Sequence, residues 1–228
     1  NPFWGYYGRT TAGELVNNFF ATSATPFVLD KLMEFNDPRI DYIYEEPATG
    51  HLGVEQGLAN YPLPVGTLGE ANVSNIGDGL LKGPDQDSVI FSLAEAEFLQ
   101  AEAAIKSYLS NAQLHYEAGI TASFNYLGAP GAAAYYSQPI NLVGWASSPN
   151  KLEAIITQKW IASNGLDAIQ SWYDFSRTGY PSGLPISLSS PEPTRPVRLA
   201  YPAEEIAGNG ANVPAQPDVF TDKIFWAN

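Results

Sequence analysis

Apolar residues recur at three- and four-residue intervals through the second half of the chain, which is the spacing of one helical face. The first such face comprises Ala94, Phe98, Ala101, Ile105 and Tyr108. Asn111 can cap the next helix, whose face repeats at spacings near four and comprises Tyr116, Ile120, Phe124 and Leu127. Two helices joined by so few residues predict an antiparallel hairpin, which ends at Gly128-Ala129-Pro130.

A second pair of helices is predicted further along the chain. Asn150 can cap the first of them, whose buried face comprises Leu152, Ile155, Ile156 and Trp160. Gly165 breaks this helix before another one, which is built on Ile169, Trp172 and Tyr173. Because one hairpin cannot bury its own faces, we expect the pairs to stack. The predicted fold class is mainly α, with tetratricopeptide-like helical hairpins and long loop-rich excursions, although the strict repeat signature is absent.

Residues 1–88 form a different segment, rich in loops, and residues 89–228 form the helical region and an extended tail. The loop-rich segment has one clear helix, with Thr25 as its cap, Pro26 at its first position and an apolar stripe of Leu29, Leu32 and Met33. It should end before Pro38, because the residue before a proline is pushed out of helical geometry. Residues 41–44 are interpreted as a short strand, and residues 46–87 as a long structured loop region.

Charge and composition exclude several classes of function. A net charge of −13 argues against nucleic acid, since phosphate binding needs Lys and Arg, and against a polybasic membrane surface. No apolar run of about 18 residues predicts a membrane-spanning helix. Without cysteine and with His51 and His115 as the two histidines, neither a cysteine-ligated zinc nor a histidine-rich metal site is predicted.

No motif for catalysis or for a cofactor is present. The chain lacks a Gly-X-Ser-X-Gly elbow, a phosphate-binding loop and a dinucleotide fingerprint. Glu45-Glu46 and Glu204-Glu205 are carboxylate pairs by adjacency alone, which leaves a glycoside hydrolase open. Asp85-Gln86-Asp87 resembles the start of a calcium loop but lacks the rest of it, so a turn is preferred and a structural calcium ion stays open.

Aromatic residues carry the binding prediction, because rings displayed on loops can stack on the C–H faces of sugars. The five candidates for ligand contact are Trp4, Tyr6, Tyr7, Tyr42 and Tyr44. Further aromatic residues on or beside predicted loops are Tyr61, Tyr135, Tyr136 and Trp145. Trp160 and Trp172 lie within apolar helical stripes and are predicted to be core residues.

The stretch from Trp172 to Pro181 is the most distinctive motif of the chain, and we interpret it as structural. Arg177 is expected to bond to the carbonyl groups at the end of its helix, and Gly179 to supply a permissive backbone. Tyr180 and Pro181 follow, and the proline blocks continuation of the helix. Substitution of Arg177 by alanine is therefore expected to harm folding more than binding.

Several segments, in order, resemble the SusD/RagB family of surface-exposed outer-membrane nutrient-binding lipoproteins. They are residues 36–39, 93–103, 116–120, 158–162 and 172–181, then Arg195 with residues 201–205, 209–212 and 223–226. Each alone is a weak signal, and their order makes the resemblance specific. Family members are considerably longer and begin with an acylated cysteine, so this chain is expected to be a carboxy-terminal part completed by an amino-terminal half.

The resemblance implies a protein at the cell surface, attached to the outer membrane only through an amino-terminal lipid that this chain lacks. Its implied partner is a SusC-like TonB-dependent transporter, and its implied ligand is an oligosaccharide or, in some members, a peptide. Neither nucleic acid nor catalysis is involved. Two alternatives stay open: a carbohydrate-active hydrolase that uses a carboxylate pair, and a tetratricopeptide scaffold that binds only protein partners.

Overall fold

Helices dominate the structure, as the periodic segments predict. The computed structural model describes residues 2–57 and 73–224, so Tyr61, Phe225 and Trp226 lie outside the described residues. In chain order the helices are α1 Pro2–Tyr7, α2 Asn17–Ala21, α3 Pro26–Glu34, α4 Ile40–Ile43, α5 Leu93–Ile105, α6 Ala112–Leu127, α7 Ala132–Tyr136, α8 Lys151–Ser163, α9 Ala168–Thr178 and α10 Ala203–Asn209. Within those ranges β pairing is limited to isolated bridges, and the mainly α prediction is confirmed.

Helices α5 and α6 form the predicted hairpin at the centre of the core. Most residues of their facing stripes are buried, and Phe98, Tyr116 and Ile120 are completely so, whereas Ile105 is partly buried. Gly119 permits the close approach, because a Cβ atom at that position would lie 2.9 Å from the ring of Phe98. Tyr108 departs from the prediction, since α5 ends at Ile105 and the Tyr108 ring is exposed.

The second pair, α8 and α9, packs beside the hairpin. Helix α8 contacts both α5 and α6, and α9 contacts α8. The predicted apolar face of α9 is wrong, because Ile169 and Tyr173 are exposed while Asp174 is the buried residue. The inner side of α9 supplies a carboxylate to Lys159 of α8, 2.9 Å away, so charge pairing rather than apolar contact positions this helix.

Among the described residues, three helices begin with a side-chain cap, which satisfies a backbone N–H at each amino terminus. Ser92 accepts from Glu95, Asn150 accepts from Glu153 and Asp167 accepts from Gln170. Asn150 is thus the cap that the sequence predicts. Thr25 and Asn111 make no such bond, and Asn111 has a left-handed backbone instead of the extended one that Thr25 has.

The loop-rich segment contributes to the same core through α3. Leu29 and Leu32 are buried as predicted, whereas Met33 is half exposed and Val28 takes its place. The predicted strand at residues 41–44 is wrong. Residues 40–43 form the single helical turn α4, which Tyr44 closes by donating its backbone N–H to Ile40.

Two segments singled out in the sequence, residues 36–39 and 158–162, meet inside the core around Arg39. Arg39 is completely buried and donates to both oxygens of Asp37, at 2.6 to 3.1 Å. It also donates to Ser123 of α6 and to Gln158 of α8, and its guanidinium lies over the rings of two buried aromatic residues. Burial alone would lower the pKa of Arg39, but the charges and hydrogen bonds of Asp37 and Tyr135 together outweigh it and raise that pKa. These motifs therefore fasten the loop-rich segment to the helical scaffold.

None of the helices in residues 2–57 and 73–224 combines the length and hydropathy that a bilayer crossing requires.

Candidate functional site

An open cleft of about 440 Å³ lies between the amino-terminal helices and the loop segments that follow α4. Its polar lining residues are Arg9, Glu45, Glu46, Asn75 and Asp78. Its apolar lining residues include Trp4, Leu15, Phe19, Val73, Ile76 and Leu81. One aromatic ring, an apolar floor and several hydrogen-bonding side chains around an open cavity form the usual composition of a small-ligand site.

Trp4 reaches the cleft because the chain turns tightly behind it. The backbone carbonyl of Trp4 accepts from Gly8 at 2.7 Å and from Arg9 at 3.2 Å, which ends α1. A Cβ atom at Gly8 would lie 2.7 Å from that carbonyl and 3.2 Å from the indole ring, so glycine permits the turn. The Trp4 side chain is half-buried, which leaves part of its face open to the cleft.

The opposite wall depends on two isolated backbone bridges. Tyr44 pairs with Ile76, and Ser23 pairs with Asn75. The backbone N–H of Glu45 donates to the Asn75 carbonyl at 2.9 Å, and the Asn75 side chain accepts from the hydroxyl of Ser23. These contacts bring residues from positions 23, 45 and 75 to one wall.

The cleft is electrostatically negative. Partial burial, and then repulsion from Asp78, raise the pKa of Glu45, while the positive charge of Arg9 opposes this rise. Glu46 adds a further carboxylate to the lining. With three carboxylates against one guanidinium, the cleft favours neutral or cationic ligands over anionic ones.

Of the five predicted contact residues, Trp4 alone lines this cleft. Tyr6 is exposed on α1 and Tyr7 is half-buried, and their rings contact each other with centroids 4.7 Å apart. Tyr42 is half-buried against the core. Tyr6, Tyr7 and Tyr42 do not line this cleft, and their role in ligand contact stays a prediction.

Tyr44 contradicts the expectation that its ring is displayed. The side chain is buried, with 7% exposed, and its hydroxyl accepts from Asn164 at 2.7 Å. Burial raises the pKa of Tyr44 to about 12, although the bond from Asn164 opposes this rise. Tyr44 is therefore a core residue that ties α4 to the end of α8.

Trp172 differs from its prediction as a core residue, whereas Trp160 packs against the core as predicted without being fully buried. Both are half-buried and line a second groove of about 410 Å³, together with Phe175, Asn164 and Arg195. Two of the polar side chains in this groove, Asn164 and Arg195, are hydrogen-bonded to the protein. Asn164 donates to Tyr44, and Arg195 lies over the Phe175 ring and donates to the carbonyl of Pro185.

Arg177 binds carboxylates instead of the carbonyl groups at the end of its helix. It donates to both oxygens of Glu102 at 2.6 Å and to Asp174 at 2.6 Å, and Lys106 pairs with the same Glu102. Burial raises the pKa of Glu102, but the bonds and charges of Arg177 and Lys106 outweigh it and lower that pKa. Lys159 extends the network by pairing with Asp174. The motif therefore joins α5, α8 and α9.

At the end of the motif from Trp172 to Pro181, Gly179 has the permissive backbone that the sequence predicts. Gly179 has a φ of +76°, the left-handed conformation that glycine tolerates, and it follows α9 directly. The hydroxyl of Tyr180 accepts from Asn150 at 2.7 Å, and Pro181 is buried after a cis peptide bond. Tyr180 therefore connects the end of α9 to the cap of α8.

The remaining acidic candidates lie elsewhere. Glu204 and Glu205 are exposed in the first turn of α10 and do not line the cleft. In the 85–87 segment, Gln86 accepts from the backbone N–H groups of Lys82 and Gly83, so it closes a turn. The preferred interpretation of that segment as a turn therefore matches its hydrogen bonds.

Sequence reasoning missed Arg9, Asn75 and Asp78. They lie in segments without hydrophobic periodicity, and no motif relates their positions to Trp4 or to the adjacent pair Glu45-Glu46. The one available signal was the large share of Gly and Pro around them, which marks long ordered loops.

Comparison with known proteins identifies a family that the chain matches over most of its length. The profile of a SusD-like family, described as starch-binding and associating with the outer membrane, matches residues 9–202. Among curated proteins the comparison finds no match.

Several solved structures share the fold. A SusD-like protein from Bacteroides thetaiotaomicron is 27% identical with a TM-score of 0.68, over 86% of this chain and 48% of that one. A chitin-binding SusD homologue from Flavobacterium johnsoniae is 28% identical with a TM-score of 0.67, over 86% and 47%. A SusD homologue from Bacteroides uniformis is 28% identical with a TM-score of 0.63, over 86% and 48%. The chain therefore spans about half the length of the structures that it matches.

Proposed function

We propose, from the premise that this chain belongs to the SusD-like family, that it is part of a surface glycan-binding protein at the outer membrane. The protein captures oligosaccharides and passes them to a SusC-like TonB-dependent transporter, and it does not cleave them. Its membrane attachment is an amino-terminal lipid on the full-length protein. Within that protein, residues 1–88 and 89–228 form one structural unit.

The observation that carries this proposal is the cleft around Trp4. An indole face can stack on the C–H face of a pyranose ring, and the carboxylate, amide and guanidinium groups opposite it can bond to sugar hydroxyls. Because the cleft is open and the side chains of Arg9, Glu45, Glu46 and Asp78 are exposed, a sugar can replace the water bound to them without first breaking the protein core.

The negative charge of the cleft narrows the ligand class. Glu45, Glu46 and Asp78 would repel uronic acids, whereas neutral hydroxyl and acetamido groups can donate to their oxygens. The family description names starch, and the Flavobacterium johnsoniae relative binds chitin. Maltoheptaose and chitin hexasaccharide are therefore the probes, with an oligogalacturonate as the anionic comparison.

Titration calorimetry of the full chain with these sugars tests the proposal. Trp4→Ala should weaken the affinity for the bound neutral sugar at least about tenfold, which is about 1.4 kcal/mol. Because the Trp4 ring also packs against the core, the titration is run at a temperature at which a thermal melt shows the variant to be folded. Trp172→Ala is the matched control, since it removes the same type of ring from the second groove. Equal affinity of Trp4→Ala and the wild type would reject this cleft, and a selective loss in Trp172→Ala would move the site to the groove.

A second assay separates capture from turnover, because the cleft holds carboxylates that could act as a pair. Reducing ends are measured over hours with the sugar that binds. A constant signal supports a binding protein, and a rising signal that Glu45→Gln abolishes would favour the hydrolase alternative. Absence of binding to every sugar, in this chain and in the full-length protein, would favour a scaffold for protein partners.

A further inference from the structure

The side chains of Asp41, Glu46 and His51 lie close together, and Glu46 also lines the cleft. Each offers one ligand atom, and the three atoms lie within 4.8 Å of one another. Asp41 comes from α4, Glu46 from the segment after it, and His51 from the following loop. We propose that these three side chains form a binding site for one divalent transition-metal ion, with Zn²⁺ as the ion that fits best.

The histidine is positioned before any ion arrives. Its side chain is 8% exposed, and its Nδ1 is bonded to the hydroxyl of Ser74 at 2.9 Å. Ser74 is completely buried, and its hydroxyl also accepts from the backbone of Leu52 at 3.2 Å. A bond at Nδ1 to a fixed partner orients the ring and leaves Nε2 as the ligand atom, which is the usual arrangement of metal-binding histidines.

The side chains of Asp41 and Glu46 can change rotamer to complete the site. Nε2 of His51 lies 3.0 Å from Asp41, whose side chain is 60% exposed and free to change rotamer. Bonds of about 2.1 Å to a metal ion allow ligand atoms to be at most about 4.2 Å apart. The present separations therefore need only a small side-chain adjustment, and Glu46, which makes no hydrogen bond to the described residues, can provide it.

The donor types favour a transition metal over Ca²⁺ or Mg²⁺. One imidazole and two carboxylates suit Zn²⁺, whereas the two hard cations prefer oxygen ligands throughout. Three protein ligands leave at least one coordination position to water, and the two negative charges would be neutralised by the ion. The chain has no cysteine and only two histidines, so few other groups compete for Zn²⁺.

The second histidine lies beside a single carboxylate and serves as a comparison. His115 contacts Glu97 at 2.7 Å through Nδ1. It has one carboxylate and is not part of a group of three ligands among the described residues. The pair His115–Glu97 is therefore an internal control for the proposed site.

The experiment is a calorimetric titration of the full, untagged chain, stripped with a chelator, with ZnCl₂ alone. We expect saturable binding of one ion and at least about tenfold weaker binding in Glu46→Gln, which removes a ligand charge from an exposed position. Glu97→Gln should bind Zn²⁺ as the wild type does. CaCl₂ and MgCl₂ should give no saturable binding.

Proton NMR of the two histidine rings provides a readout that does not depend on a variant. Zn²⁺ should move or broaden the ring resonances of His51 and leave those of His115 in place. No saturable Zn²⁺ binding, equal affinity in Glu46→Gln, or a response confined to His115 would each overturn the proposal. The result is independent of sugar binding, since the titration contains no glycan.

Discussion

Arg39 and Arg9 show how differently the scaffold and the cleft use the same kind of side chain. Arg39 is fully buried, pairs with Asp37 and lies against aromatic rings between α6 and α8. Arg9 is exposed beside Trp4, where it donates to the backbone of Gly13 and shares the cleft with Glu45 and Asp78. The first arginine has exchanged water for protein partners, and the second keeps water as an exchangeable partner.

This difference separates structural motifs from the candidate binding site. The distinctive motifs around Arg39, Gln158, Lys159 and Arg177 all end in buried hydrogen bonds or ion pairs. A buried charge needs a counterion and hydrogen-bond partners for all its polar atoms. This requirement restricts the residue types around it and makes such motifs easy to notice. The residues of an open cleft carry no such restriction. The clearest motif in a sequence can therefore report the scaffold rather than the ligand.

The largest effect that tests this comparison is expected at Arg39. Arg39→Met should lower the free energy of unfolding by about 3–5 kcal/mol, because it leaves the buried Asp37 carboxylate without its counterion. Urea denaturation measures it. Arg9→Met is the matched control and should change stability by no more than about 0.5 kcal/mol. Equal losses would mean that the cleft arginine is also part of the scaffold, and Asp37→Asn combined with Arg39→Met should recover part of the loss.

A smaller loss is expected at Arg177, whose side chain is 30% exposed. Arg177→Ala should cost about 2 kcal/mol, since Glu102 and Asp174 lose charged hydrogen bonds but keep Lys106 and Lys159. Denaturation at several pH values measures it, with sugar affinity as the second readout. Lost sugar binding with unchanged stability would make Arg177 a ligand residue and reverse the interpretation.

The pH dependence of that loss follows from Glu102. Its pKa is lowered in the folded protein, because the bonds and charges of Arg177 and Lys106 outweigh the burial that raises it. A lowered carboxyl pKa contributes stability that is full above the ordinary value of 4.5 and disappears as the pH falls through the folded value. The gap between wild type and Arg177→Ala should therefore be complete at pH 7 and narrow below about pH 4.5.

The helical scaffold could be predicted because its information is local. Residues such as Phe98 and Ile120 repeat at helical spacing, and Asn150 caps its helix by a contact three residues away. Where contacts with residues distant in sequence determine burial, the helical pattern does not predict which side chains are buried. Asp174 is buried because Lys159 and Arg177 face it, and Trp172 lines a groove although it lies in an apolar stripe.

The cleft could be predicted only in part, because its walls come from distant segments. Trp4 and Glu45 were singled out separately, by residue type and by adjacency. Their meeting depends on the bridge from Tyr44 to Ile76, which no periodicity encodes. The same bridge shows why Tyr44 was misjudged, since it places that ring inside the core.

The smallest effect, and the most specific to the cleft, is expected at Glu45. Partial burial and the Asp78 carboxylate raise its pKa, and Arg9 only partly opposes them. A raised carboxyl pKa means that ionisation of Glu45 is harder in the folded chain than in the unfolded one. Ionised Glu45 therefore destabilises the fold above its folded pKa, and this penalty is absent below the ordinary value of 4.5.

Glu45→Gln should accordingly raise the free energy of unfolding at pH 7, and with it the melting temperature. The gain should be less than about 0.5 kcal/mol because the site is exposed, and it should vanish near pH 4. Thermal melts at both values measure it. Asp78→Asn should act in the same direction, and the double variant should gain less than the two together, since the repulsion can be removed only once. A fall in stability for Glu45→Gln at pH 7 would mean that attraction to Arg9 dominates. The cleft would then be held by an ion pair, as the scaffold is at Arg39, and its polar groups would no longer be free for a sugar.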